Sequence, residues 1–171
     1  MADKMRYRWG PKAEVFFKKT GTVAIAMGDL LRIAQGSGRV YAVTASTDAT
    51  CLIGVAMSAS PAADPTATVV KVYLSGFGTV FEFDLVNAGN NRKKAFKAGQ
   101  AFCMTSAQPQ QLTMYKTTAS FNPFLTASNV VARCAQEMDA SGSVVKVWLL
   151  SNKWTGRPVI PGGTVTASRV M

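Results

Sequence analysis

The chain contains no histidine, and its only glutamates are Glu14, Glu82 and Glu137. The first absence excludes imidazole general bases, Ser–His and Cys–His couples, and histidine metal ligands. Charged residues make up 16% of the sequence, where an average soluble domain carries about 25%. Nineteen Lys and Arg face 9 Asp and Glu, for a net charge of +10, so the chain is basic because acids are scarce. The longest apolar stretches, such as residues 23–27, fall far short of the ~20 residues that a spanning helix needs. Residues 1–9 lack the apolar core of a secretory signal, so we expect neither export nor a membrane. There are three cysteines, Cys51, Cys103 and Cys134. Their spacing fits no zinc site and their number is odd. Each sits among apolar or small residues, which predicts three buried free thiols and assembly in a reducing cytoplasm.

Leucine is sparse as well, with 9 copies against 24 Ala, 18 Val and 16 Thr. Val and Thr are stiff at χ1 and favour strands, whereas a helical chain would be richer in Leu, Glu and Lys. The 171 residues suit one domain with its own core. The expected fold is all-β: a compact β-barrel or β-sandwich with extended N- and C-terminal arms. Apolar runs at 22–26, 30–33, 40–43, 52–56, 69–74, 79–85, 101–104, 112–115, 130–135 and 144–150 read as strands between Gly-, Pro- and Asp-containing turns. In the run at 79–85, Glu82 and Asp84 alternate with Phe81, Phe83 and Leu85, which predicts one buried and one wet face. Gly54 inside a buried-type strand suggests a bulge or a close backbone contact.

Two segments nearly repeat. Val69-Val70-Lys71-Val72-Tyr73-Leu74 matches Val144-Val145-Lys146-Val147-Trp148-Leu149, and upstream Ala26-Met27-Gly28-Asp29 resembles Lys97-Ala98-Gly99-Gln100. This pattern suggests an internal duplication, two similar β units in one domain.

Charge divides the chain into three parts: a basic N-terminal arm at 1–19, a β domain at 20–152, and a C-terminal arm at 153–171 rich in Pro and Gly. The arms are expected to find their order on a partner. Arg6, Tyr7, Arg8, Trp9 and Lys12 at one end, with Trp154 and Arg157 at the other, are the candidate contact residues. Such Arg–aromatic mixtures anchor interfaces well. The run Arg92, Lys93, Lys94 and Lys97 is a second candidate, for an anion or an acidic partner. No catalytic, cofactor-binding or metal-binding residues emerge. Without histidine a serine nucleophile would need a lysine at a recognisable spacing, and no phosphate loop is present. An enzyme is not expected. Nucleic acid is a possible partner, favoured by the net charge and the interleaved Arg and aromatic residues. Protein docking is preferred, because the arm is short and not dense in arginine.

The order Gly21-Thr22-Val23-Ala24-Ile25-Ala26-Met27-Gly28-Asp29-Leu30, then Ser46-Thr47-Asp48, then Ile53-Gly54-Val55-Ala56-Met57, a small-residue loop, and Val69-Val70-Lys71-Val72 resembles the small capsid decoration, or cement, proteins of tailed bacteriophages. The resemblance spans roughly residues 20–85, with a weaker echo to 150. It implies a non-enzymatic protein on the exterior of an icosahedral head, assembled in the host cytoplasm. Such a protein clamps neighbouring major capsid proteins against the pressure of packaged DNA. It further implies a homo-oligomer, with a trimer favoured. The arms and the run at 92–97 lie outside the resemblance. Two alternatives remain at this point: a nucleic-acid-binding β-barrel of the OB type, and a shell-forming coat protein with a basic arm.

Overall fold

A computed structural model describes residues 4–20, 23–34, 36–62, 69–76, 78–84, 95–104, 110, 112–114, 130–138 and 144–150. Within these residues the chain is all-β. The strands are β1 (Arg6–Trp9), β2 (Glu14–Lys18), β3 (Leu30–Ile33), β4 (Val40–Ala42), β5 (Leu52–Ala56), β6 (Val69–Leu74), β7 (Val80–Asp84), β8 (Ala101–Met104), β9 (Leu112–Met114), β10 (Val130–Cys134) and β11 (Val144–Leu149). One 3-10 turn, Ser46–Cys51, precedes β5. The strands form two antiparallel sheets. A five-stranded N-sheet runs β2-β6-β5-β3-β4, and a six-stranded C-sheet runs β1-β7-β11-β10-β8-β9.

Apart from β1, the two sheets follow one plan. Strands β2, β6, β5, β3 and β4 correspond in order to β7, β11, β10, β8 and β9. The registers correspond too. Gly54 faces Leu74 and Val55 faces Tyr73, as Ala132 faces Leu149 and Arg133 faces Trp148. Leu31 faces Ala42 as Phe102 faces Met114. Even the irregularities repeat: the β3–β5 ladder skips Ile53, and the β8–β10 ladder skips Val131. The turn before β3 is copied before β8. Asp29 N donates to Ala26 O at 3.1 Å, and Gln100 N donates to Lys97 O at 3.1 Å. The duplication expected from two short matching segments is therefore present in order, register and turn.

Alternation decides which side chains each sheet buries. Leu31, Val70, Val72 and Leu74 of the N-sheet gather with Ile25, Ile53 and the half-buried Val15 and Phe17. Their counterparts Phe102, Val145, Val147 and Leu149 gather with Phe96, Val131, Phe81 and Phe83. Each such side chain, fully buried, stabilises the fold by about 1.5–3 kcal/mol. Phe102 meets Phe83 edge-on, with ring centroids 5.6 Å apart. The N-sheet also buries part of its second face: Leu30, Val55 and Tyr73 join the larger cluster that holds the C-sheet phenylalanines. Past the end of β2 the N-sheet curls, and Thr20 N donates to Val40 O at 2.9 Å.

Gly54 is required by this packing. A Cβ there would lie 2.1 Å from the Tyr73 carbonyl oxygen, so β5 and β6 approach more closely than any side chain allows.

Three expectations are corrected. Of the arm expected at 1–19, the described residues 4–19 are not free, because they supply β1 to one sheet and β2 to the other. Their alternation is only two or three residues deep on each side, too short to register as a period. The wet face expected at 79–85 is dry at Val80 and Glu82: Glu82 is 4% exposed and Val80 is buried, because Arg6 and Arg8 of the neighbouring β1 close over the Glu82 carboxylate. Of the run expected at 22–26, the described residues 23–26 form only an isolated bridge, Ile25 with Ser60. Its turn is held by Asp29, whose carboxylate accepts from Ala26 N at 2.7 Å and pairs with the Lys4 ammonium.

Candidate docking face on the C-sheet

The duplication itself points to a site. Positions that are core in the first repeat are not core in the second. Leu30, Val55 and Tyr73 correspond to Ala101, Arg133 and Trp148. The first three are buried, whereas Arg133 is half-buried and Trp148 is 41% exposed. The C-sheet thus turns outward a face whose equivalent in the N-sheet is packed.

Strand β1 adds to this face. Arg6 lies opposite Glu82 and Trp9 opposite Val80, with an irregularity between Tyr7 and Trp9. The extra residue, Arg8, is a bulge that re-aims a side chain. It lets Arg6, Arg8 and Trp9 all reach one side of the sheet. Both arginines converge on Glu82. Arg6 Nη2 donates to Oε1 at 3.0 Å, and Arg8 binds the same carboxylate through Nε. The hydrogen bond from Arg8 leads in holding the Glu82 carboxyl below its ordinary range; the contacts with Arg6 add to it and burial opposes it. Across from Glu82 on β11 lies Lys146. Its ammonium sits 5.0 Å from the centroid of the Trp9 ring and donates to Gln136 Oε1 at 3.0 Å.

The outcome is a basic and aromatic face. Arg6, Arg8, Arg133 and Lys146 provide the charge, and Trp9 (44% exposed) and Trp148 provide flat apolar area. Glu82 lies beneath two guanidinium groups, so its charge is neutralised from above. Cation–aromatic mixtures of this kind suit an acidic protein surface or phosphate.

Of the residues singled out in the sequence, Arg6, Arg8 and Trp9 belong to this face. Tyr7 does not: it turns to the opposite side, packs against the larger core and meets Tyr73 edge-on with centroids 5.4 Å apart. Lys12 is exposed on the crossover from β1 to β2, 5.2 Å from the Tyr7 ring centroid. Lys97 is exposed on a turn tied to β10, where Arg133 Nη1 donates to Gly99 O at 2.9 Å. Arg92, Lys93, Lys94, Trp154 and Arg157 lie outside the described residues. Sequence reasoning missed Arg133, Lys146 and Trp148. A signal existed in β11, where Lys146 and Trp148 share one side of the alternation, but nothing local says that this side stays open.

Elsewhere the described acids serve structure. Asp48 pairs with Arg32 at 2.8 Å and accepts from Thr44 N at 2.8 Å, while Glu14 pairs with Lys71 at 2.8 Å. Among the described residues no three Cys, Asp or Glu side chains cluster as metal ligands would. The cysteines are free, and Cys103 and Cys134 are buried. Burial pushes both thiols up in pKa, which suppresses the reactive thiolate. Cys51 is only half-buried, unlike the buried site expected for it.

Compared with known proteins, the chain matches no family model and no curated sequence.

Proposed function

We propose that this protein is a non-enzymatic capsid decoration protein. In this reading it binds the outer surface of a tailed-phage head and clamps neighbouring major capsid proteins against internal DNA pressure. The observation that carries the docking part of the reading is the face formed by the exposed Arg6, Arg8, Trp9 and Trp148 with the half-buried Arg133 and Lys146. The capsid as the target rests on the sequence resemblance. A rigid β domain loses little side-chain freedom when it presents such a face. Basic charge suits an acidic shell exterior, and many modest contacts per head sum through effective concentration. Its partners are then the major capsid protein and further copies of itself, and it resides on the exterior of the virion.

A second reading is favoured by one specific observation. The alternation at 79–85 predicts a wet face at Glu82, where an exposed acid would repel phosphate. Glu82 is instead buried under Arg6 and Arg8, so the face no longer repels phosphate. A nucleic-acid-binding domain would use the same arginines for phosphates and the same tryptophans for stacking.

Co-sedimentation with tailed-phage heads, beside titration with single- and double-stranded DNA at near-physiological salt, separates the two. The capsid reading expects saturable head binding that falls at least ~10-fold in an Arg133→Glu/Trp148→Ala variant, a loss in the range of interface hot spots. Tight DNA binding without head association would replace it with the second reading. Head binding indifferent to that variant would remove this face from the interface.

A further inference from the structure

One buried charge lies far from the docking face. Lys19, directly after β2, is fully buried. Alternation points its side chain inward with Val15 and Phe17, which pack on the smaller core cluster. Val40, its partner in the parallel bridge that closes β4 onto the end of β2, belongs to that cluster too. The Lys19 ammonium donates to the Pro61 carbonyl, a neutral acceptor. Among the described residues no carboxylate pairs with it: Glu14 is engaged by Lys71, Asp29 by Lys4, Asp48 by Arg32, and Glu82 by Arg6 and Arg8. A buried ammonium without a counter-charge is costly.

A second polar group shares this end of the core. Ser60, which directly precedes Pro61, is 1% exposed, and its hydroxyl is buried with no hydrogen-bond partner. Ser60 faces Ile25 in an antiparallel bridge. Opposed residues share a face, so the hydroxyl points toward the same cluster as Ile25. Packing does not demand this pair, as the duplication shows. Lys18 faces Val69 as Asp84 faces Val144, so Lys19 corresponds in sequence to Leu85, which lies outside the described residues. Ser60 faces Ile25 as Met138 faces Phe96, so Ser60 corresponds to Met138. The second repeat has apolar residues at both places, where the first has a cation and a hydroxyl.

We propose that Lys19 and Ser60 form a buried site for a small monovalent anion of the chloride class. The ammonium brings the charge to be balanced and N–H donors beyond the one used by Pro61, and the Ser60 O–H donates as well. Water satisfies the hydroxyl but leaves the charge unbalanced, whereas an anion does both. A divalent ion such as sulfate is disfavoured, because its second charge would be buried without a partner. The site lies where the N-sheet closes on itself at Lys19 and Val40, so an anion bound there stabilises that closure. The proposal does not rest on the capsid reading, and it leaves the face of the C-sheet untouched.

Thermal unfolding of the full chain in sodium chloride, against sodium gluconate at equal ionic strength, tests this, together with anomalous scattering from crystals soaked in bromide. The expected result is a saturable rise in Tm with chloride, on the order of 5 °C at about 100 times its Kd. A bromide peak should lie within hydrogen-bond reach of Lys19 Nζ and Ser60 Oγ. The double variant Lys19→Leu/Ser60→Met copies the second repeat and should fold while losing both the chloride response and the peak. Ser60→Ala, a smaller change, should raise the chloride Kd at least ~10-fold. A chloride response unchanged in these variants, or bromide at exposed lysines only (an adventitious ion only), would overturn the proposal. Equal Tm in the two salts would overturn it as well, and would assign the counter-charge to the chain itself, with Asp64 the acid nearest to Pro61 in sequence.

Discussion

Met5→Ala separates a free N-terminal arm from an N-terminal segment built into the fold. Met5 directly precedes β1, is 3% exposed and belongs to the larger core cluster. Its amide donates to Gly28 O at 3.0 Å, which the substitution leaves in place. The change therefore removes side-chain packing alone. Buried Met→Ala substitutions cost about 2–5 kcal/mol. A site close to a chain end can relax into part of the cavity, so about 2–3 kcal/mol is expected here. For a chain of this size that corresponds to a fall in Tm of roughly 4–12 °C. Urea unfolding followed by circular dichroism measures the free energy, provided the slope m is unchanged. Met27→Ala is the matched control: Met27 is 64% exposed, and its loss should stay within about 0.5 kcal/mol. If both variants unfolded at the same urea midpoint as the parent chain, the N-terminal residues would be an arm after all, and the covering of β7 by β1 would be wrong.

Two further predictions concern single positions. Gly54→Ala forces a Cβ against the Tyr73 carbonyl and should cost more than about 3 kcal/mol or prevent folding, since backbone must move. An unchanged melting temperature would show that β5 and β6 do not approach as described. Glu82 has a folded pKa below its unfolded value of 4.5. It therefore binds more protons when unfolded, and its contribution is present above about pH 4.5 and lost as pH falls through the lower folded value. Glu82→Gln should flatten the Tm-against-pH curve in that acidic window, and curves that stay parallel down to pH 2 would refute the pairing with Arg6 and Arg8.

Much of the fold was legible because it is encoded locally. Val- and Thr-rich runs between Gly and Pro turns mark strands whatever they later pair with. The match between residues 69–74 and 144–149 marks the duplication for the same reason, as does the shared Gly turn before β3 and β8. Gly54 signalled a close approach within a strand, and the Tyr73 carbonyl is what approaches. The basic N-terminal residues were legible as a cluster but not as strands, since Arg6 meets its partner Glu82 76 residues later in the chain.

Composition and alternation, then, determined by themselves that the chain is all-β, where most strands lie and that two units share one plan. These follow from backbone stiffness and a two-residue period, which each segment carries alone. Only tertiary structure decided which faces stay open. Tyr73 and Trp148 hold equivalent places in equivalent strands, yet one is core and the other faces outward. The difference arises because the N-sheet packs Leu30, Val55 and Tyr73 of its second face into the larger core, whereas the C-sheet leaves the equivalent positions partly or fully exposed. Likewise, an isolated strand containing Glu82 reads as half wet, and it becomes dry only when β1 arrives with two arginines to neutralise the carboxylate.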